Sequence, residues 1–198
     1  MGGDTLMFQG IIEHTAHFIS LTPRKNVFEL NVLLSVSAAK YFSKSKIGDS
    51  IAIDGTCLSL TRKKGRNFFF DLIPETISKT KYKTLKKNDL LNLEKPLTLQ
   101  TPISGHIVTG HIDTVGVVKN ISAQNEVFIE FPKAFTKWMV PKGSVVVNGI
   151  SLTIASLKKN KFSVALIPIT RKITNLGQIK VGSLVNLEFD YLVKMFKK

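Results

Sequence analysis

The sequence predicts an all-β chain made of two tandem copies of one small domain, and three observations carry that prediction. The first is an internal repeat. Gly48–Leu60 (GDSIAIDGTCLSL) returns as Gly143–Ile154 (GSVVVNGISLTI), Phe70–Thr80 (FDLIPETISKT) as Val164–Thr174 (VALIPITRKIT), and Leu91–Glu94 (LNLE) as Val185–Glu188 (VNLE). Gly55 and Gly149, Pro74 and Pro168, Thr80 and Thr174, and Glu94 and Glu188 share one separation of 94 residues (149 − 55, 168 − 74, 174 − 80, 188 − 94). The second is a succession of short Ile/Val/Phe/Leu-rich segments punctuated by Gly, Asn, Asp and Lys, which reads as strands and turns. The third is a matched pair of tight-turn signals, Asp54-Gly55 and Asn148-Gly149, whose residue types tolerate positive φ and so suit hairpins.

Taken in order, the first copy is expected to place strands at Phe8–Ile12, Phe28–Leu33, Ser50–Ile53, Cys57–Leu60, Phe68–Leu72 and Leu90–Glu94. The second places them at His106–Ile112, Val127–Phe131, Ser144–Val147, Ser151–Ala155, Phe162–Ile167 and Leu184–Phe189. Six short strands per copy suit a small closed barrel or a sandwich. Between the second and third strands the periodicity changes, so Ser35–Ser43 and Lys133–Met139 are expected to be short helices. Ile77–Leu85 and Lys172–Ile179 are less regular. Lys95–Ser104 carries two prolines and reads as a linker. The expected boundaries are residues 7–97 and 104–189 for the two domains, with a short amphipathic helix in residues 190–198.

Composition narrows the function classes. Hydrophobic residues make up 43% of the 198 residues and charged residues 21%, an ordinary globular mixture. No apolar run approaches the ~18 residues of a membrane helix. The N-terminus has no signal-peptide pattern and Leu6 breaks a myristoylation motif, so the expectation is a cytoplasmic protein without a membrane partner. One cysteine excludes an intrachain disulfide framework and a thiolate metal cluster. The net charge of +14 invites nucleic acid. The basic residues, however, are mostly Lys scattered through turns, with few Arg for bidentate readout. No nucleic-acid partner is expected.

The residues that could carry chemistry fall in two clusters. Ser104–Asp113 contains His106 and His111, flanked by Gly105 and Gly110. Five apart on an extended segment, the histidines would face opposite sides and cannot share a metal. The glycines would let a flat ligand approach the backbone. The second cluster follows each tight turn: Cys57 and Ser59 in one copy, Ser151 and Thr153 in the other. Period-2 spacing puts each pair on one face, with Leu58 or Leu152 on the other. Asp71, Glu75, Thr76, Thr170 and Asp190 are the remaining polar candidates. Asp71 and Glu75 have Ala165 and Ile169 as counterparts, which argues against a symmetric pair of hydrolytic carboxylates. Hydrolase, P-loop and dinucleotide motifs are absent from the sequence.

Met7–Glu13 (MFQGIIE), GDSIAIDGTCLSL, SGHIVTGHID, NGISLTI and VNLEFD occur in that order from Met7 to Asp190, and together they resemble the riboflavin synthases of the α-chain type. The resemblance implies two six-stranded Greek-key β-barrels followed by a C-terminal helix. It implies dismutation of two molecules of 6,7-dimethyl-8-ribityllumazine into riboflavin and 5-amino-6-(ribitylamino)pyrimidinedione, with no metal or organic cofactor. It further implies a homotrimer, association with lumazine synthase, and a working site between the N-terminal barrel of one subunit and the C-terminal barrel of another.

Carried over by motif, the first-barrel pocket would comprise Gly10, Ile11, Ile12, Ser50, Cys57, Leu58, Ser59, Asp71, Leu72, Ile73, Pro74, Glu75 and Thr76. The second would comprise Gly110, His111, Ile112, Lys142, Ser151, Leu152, Thr153, Ile167, Pro168, Ile169, Thr170, Arg171 and Lys172. Phe8 would sit near the rings and His106 would contact substrate. His111 is the candidate for proton transfer, Ser151 and Thr153 supply hydrogen bonds, and Cys57 and Asp190 assist. The chain departs from the pattern at Ser59, Ser104 and Ile169, in a short tail, and in residues 1–6, which precede the family's Met-Phe start. The alternative is a lumazine or flavin carrier of the same fold that does not turn over. Retention of His106, His111, Ser151, Thr153 and Asp190 favours the enzyme.

Overall fold

A computed structural model of the chain describes residues 7–197; residues 1–6, singled out above as preceding the family's start, lie outside them. The first half contains β1 (His14–Pro23), β2 (Phe28–Leu34), α1 (Val36–Tyr41), β3 (Ser50–Ile53), β4 (Thr56–Lys64), β5 (Asn67–Leu72), α2 (Pro74–Lys79) and β6 (Leu90–Glu94). The second contains β7 (Thr114–Ile121), β8 (Glu126–Glu130), β9 (Ser144–Val147), β10 (Ile150–Lys158), β11 (Lys161–Ala165), α3 (Pro168–Ile173), β12 (Leu184–Phe189) and α4 (Tyr191–Phe196). Lys133–Trp138 winds as a 3-10 helix, as do Tyr82–Thr84 after α2 and Asn175–Gly177 after α3.

Each half closes into a six-stranded antiparallel barrel. The first runs β1-β2-β5-β4-β3-β6, and the second, read from β7, runs β7-β8-β11-β10-β9-β12, the same Greek-key order. Closure needs bent strands, and matched bulges bend them, between Leu60 and Arg62 in β4 and between Ile154 and Ser156 in β10. The Asp54-Gly55 turn (φ 44° and 79°) and the Asn148-Gly149 turn (φ 48° and 81°) form the β3–β4 and β9–β10 hairpins. Pro74 and Pro168 open α2 and α3, where a missing amide hydrogen costs nothing. Each barrel has its own apolar filling, around Phe18, Leu30, Leu60 and Phe70 in the first and Val118, Ile129, Phe162 and Leu187 in the second.

One expectation fails in both copies. Phe8–Ile12 and His106–Ile112 are not strands; the first strands begin later, at His14 and Thr114. The reason is local. Gly10 and Gly110 take positive φ (75° and 77°), which breaks an extended run. A buried carboxylate from the end of each barrel claims the amides: Gln9 and Gly10 donate to Glu94 (2.9 and 3.1 Å), and Thr109 and Gly110 donate to Glu188 (2.7 and 3.0 Å). These segments are arms.

The arms cross. Phe8 bridges Val108 (N to O, 2.7 Å), and both are buried with Ala52 and Val146 in a small third core between the barrels. Ser151 in β10 donates its backbone amide to the Gly10 carbonyl (2.8 Å), while Cys57 in β4 donates to that of Gly110 (2.9 Å). Ile12 is packed into the second barrel's core. Each barrel is therefore completed by the other's arm.

A polar network ties the barrels together with approximate two-fold symmetry. Asp54 accepts the Asn92 amide (2.7 Å) as Asn148 accepts that of Asn186 (2.9 Å). Asn186 accepts the Lys81 amide (2.9 Å) as Asn92 accepts that of Asn175 (2.9 Å). Symmetry breaks at one pair: Lys81 and Asp54 form a buried ion pair (2.8 Å), where the matched positions carry Asn175 and Asn148, joined by an amide hydrogen bond (3.2 Å).

Candidate functional site

The strand register decides what can face a ligand. On β4, Leu58 points into the barrel while Cys57 and Ser59 point out, and on β10 Leu152 packs against the core while Ser151 and Thr153 face out. Cross-strand pairing sets Ser50 opposite Ser59 and Ser144 opposite Thr153. The polar walls expected from the period-2 pattern thus exist on the outer barrel surfaces. Leu58, Leu72, Leu152 and Ile12 belong to the cores, and Phe8 is wholly buried between the barrels, so they support the walls from behind.

A cavity of about 460 Å³ opens beside the first wall, lined by Thr56, Cys57, Ile73, Glu75, Thr76, Lys79, Thr80, Gly110, His111 and Ile112. The last three come from the second copy's arm. Gly110–Ile112, carried over by motif to the second barrel, line this cavity beside the first barrel's wall, and Gly10, carried over to the first, lies against Ser151 of the second wall. Gly105 and Gly110 do allow close approach, but of the chain itself. A Cβ on Gly110 would lie 2.5 Å from Cys57 Cβ, and one on Gly105 would lie 1.9 Å from the Gln9 carbonyl oxygen.

Around the cavity, Glu75 and Lys79 pair across one turn of α2 (2.7 Å). At the matched positions α3 carries Ile169 and Ile173, both exposed. Burial raises the Cys57 thiol above its ordinary pKa, with a Ser50 hydrogen bond opposing, so at neutral pH it is a thiol and a poor nucleophile. Ser59 and Asp71 are exposed on the barrel wall outside the cavity lining.

The second wall holds the pairing that sequence reasoning missed. His106 Nδ1 lies 2.7 Å from Ser151 Oγ, whereas His111, the residue chosen for proton transfer, is exposed in the other barrel's pocket. His106 Nε2 is buried without a hydrogen-bond partner among the described residues. Burial lowers the His106 pKa below 6.5, with the nearby Asp190 carboxylate pulling the other way. The ring is neutral at pH 7 and can exchange a proton with the Ser151 hydroxyl. Asp190 caps α4, accepting the Leu192 amide (2.9 Å).

Ile167 through Lys172 lead from β11 into α3. Ile167 and Ile169 are exposed, Pro168 begins α3, Thr170 is half-buried and its carbonyl accepts the Thr174 hydroxyl (2.6 Å), Arg171 bonds Asn125, and Lys172 is exposed. Lys142 is exposed in the turn before β9. A larger opening, about 550 Å³, lies between the barrels near Lys81, Asn148 and Asn175 and contains none of the residues expected in a pocket.

Comparison with known proteins agrees with this architecture. Residues 9–96 and 109–190 each match the Lumazine binding domain family. Riboflavin synthase of Actinobacillus pleuropneumoniae is 35% identical over 97% of this chain and 89% of its own length. Those of Photobacterium phosphoreum and Bacillus subtilis are each 34% identical, over 97% and 95% of this chain and 88% and 87% of their own. Among solved structures, LumP complexed with 6,7-dimethyl-8-(1'-D-ribityl) lumazine superimposes with a TM-score of 0.81 at 22% identity, covering 91% of this chain and 98% of LumP. LumP complexed with riboflavin gives 0.82 at 22% identity over 92% and 98%. These likenesses establish the fold.

Proposed function

Because the chain belongs to the riboflavin synthase family and carries two lumazine binding domains, we propose that it joins two molecules of 6,7-dimethyl-8-ribityllumazine. One gives a four-carbon unit to the other, yielding riboflavin and 5-amino-6-(ribitylamino)pyrimidinedione. The observation that carries the reading is the His106–Ser151 hydrogen bond (2.7 Å) on the second polar wall. The reaction begins with loss of a proton from an acidic methyl group on the heterocycle. A neutral, desolvated imidazole backed by a hydroxyl suits that step, and the hydroxyl suits stabilisation of the anion that results.

Two similar substrates call for two similar pockets, and the duplicated barrel offers two similar polar walls, the first of them beside a cavity. The first-barrel cavity has no residue from the Ser151 wall in its lining. Two lumazines bound to one chain would therefore sit in separate places, and the first pocket of one copy must meet the second pocket of another. A head-to-tail contact whose rotation closes makes a ring, and we take that ring to be a homotrimer. Stacking the two rings there replaces a bimolecular encounter with a local one, worth up to ~7–11 kcal/mol for good alignment. A cytoplasmic location and association with lumazine synthase belong to the same reading.

Incubation with 6,7-dimethyl-8-ribityllumazine alone is expected to produce riboflavin, read by its green fluorescence. Tight binding with an unchanged lumazine spectrum would replace the enzyme with a carrier. A mass measurement in solution decides the trimer.

A further inference from the structure

Both arms end in a carboxylate that closes them onto their barrel. Glu13 accepts the backbone amide of Lys95 (2.8 Å) and the hydroxyl of Tyr41 on α1. Its counterpart Asp113 accepts the amide of Phe189 (2.8 Å) and, in place of a hydroxyl, the ammonium of Lys194 on α4 (2.8 and 3.0 Å). The Asp113 and Lys194 side chains are only 15% and 16% exposed, so their attraction is screened less than that of a surface pair. Asp113 is further fixed by its own amide, which donates to the Leu187 carbonyl (2.9 Å).

The ion pair has a consequence for α4. Tyr191, Leu192, Met195 and Phe196 are all exposed, so apolar packing does little to hold this six-residue helix. Among the described residues, Lys194 is the one α4 side chain that hydrogen-bonds the barrel. Its own amide donates to the Asp190 carbonyl one turn back (3.1 Å), so the two residues move as a unit. Phe189 on β12 pairs with Val145 on β9, which pairs with Leu152 on β10, so Asp190 leaves the sheet two strands from the Ser151–Thr153 wall, and its carboxylate favours the charged His106 ring.

We infer that Lys194 is a positioning residue for the reaction: gripping Asp113, it fixes the first turn of α4 and thereby holds the Asp190 carboxylate beside the His106–Ser151 pair. This rests on the catalytic reading given above. Lys194 is held by Asp113 and belongs to neither polar wall, so its loss should change turnover and leave substrate binding alone. A carboxylate displaced by an ångström or so can cost up to about a hundredfold in rate.

Steady-state kinetics on K194M and K194R, with thermal unfolding alongside, tests the inference. K194M is expected to lower kcat roughly ten- to a hundredfold with KM within about twofold of wild type, and K194R to recover most of the loss. Wild-type kcat in K194M, a rise in KM without a fall in kcat, or a K194R no better than K194M would overturn the positioning role. If K194M does not fold, K194Q is judged by the same outcomes. A wild-type protein that makes no riboflavin would defeat the catalytic reading first, and the positioning role with it.

Discussion

Gly55 and Gly149 meet backbone to backbone at the junction of the two barrels. A Cβ built on Gly55 would lie 2.8 Å from the Gly149 nitrogen, and one on Gly149 would lie 2.6 Å from the Gly55 nitrogen. Both also take positive φ. Glycine is thus required twice over, by turn geometry and by close approach. G55A or G149A is expected to destabilise the protein by at least about 2 kcal/mol, because strain and a backbone clash add. Chemical denaturation at neutral pH reads this, and an unchanged midpoint would mean that the barrels do not dock this closely.

Asp54 and Lys81 make the charged half of an otherwise symmetric network. Removing one partner leaves a buried ion alone, which typically costs about 3–5 kcal/mol. D54N is expected to fall in that range. D54N/K81N, which copies the Asn148 and Asn175 arrangement, should recover most of the stability. A double variant as unstable as the single one would show that the charge pair itself holds the junction.

The arm carboxylates make stability depend on pH. Burial raises Glu94 from the usual 4.5 to about 7, against the pull of the amides it accepts, and burial raises Glu188 as well. An acid with a raised folded-state pKa binds its proton more tightly folded than unfolded. Its contribution is therefore complete below pH 4.5 and is lost as pH climbs through about 7. For Glu94 the loss amounts to about 3 kcal/mol at most. E94Q is expected to flatten the decline in unfolding free energy across that window. An identical slope in E94Q would place the ionisation elsewhere.

His106 should govern the acid limb of kcat. Burial lowers its pKa, and Asp190 only partly offsets this. The neutral ring therefore persists below pH 6.5, and activity should hold there before falling. H106Q and S151A are each expected to lose about a hundredfold or more in kcat, and their double variant little further, because they act as one unit. H111Q, altering the first-barrel pocket, should act chiefly on KM. The reverse pattern would return the proton-transfer role to His111.

Cys57 provides a simpler contrast. Its raised thiol pKa argues against thiolate attack. C57S should retain turnover within about tenfold, because it keeps a small hydrogen-bonding group on the wall. Complete inactivity in a folded C57S would revive a nucleophilic role.

Features that depend on neighbouring residue types were legible in the sequence. Asp54-Gly55 and Asn148-Gly149 announced their hairpins, and the alternation through Cys57–Ser59 and Ser151–Thr153 gave the outward faces. Long-range dependence hid the rest. Phe8–Ile12 and His106–Ile112 have strand-like composition, and only Glu94 and Glu188, 84 and 78 residues from the glycines whose amides they bind, make them arms. A signal was available. Phe8-Gln9-Gly10 and Val108-Thr109-Gly110 repeat at a separation of 100 residues (110 − 10), which differs from the 94 (188 − 94) seen downstream and so went unaligned. The His106–Ser151 contact spans 45 residues and two elements, and neither residue's local pattern implies the other.

The exchanged arms carry a record of origin. A lone ancestral half could tether its leading segment to its own barrel through the buried glutamate, but the carbonyl of Gly10 or Gly110 and the buried Phe8 or Val108 would find their partners only on a twin, in the reciprocal manner of an isologous dimer. The present chain has the geometry of such a dimer with its ends joined, and within one chain the two faces are free to differ. An ion pair could survive on one side and amides replace it on the other, while the shared axis remained in the backbone.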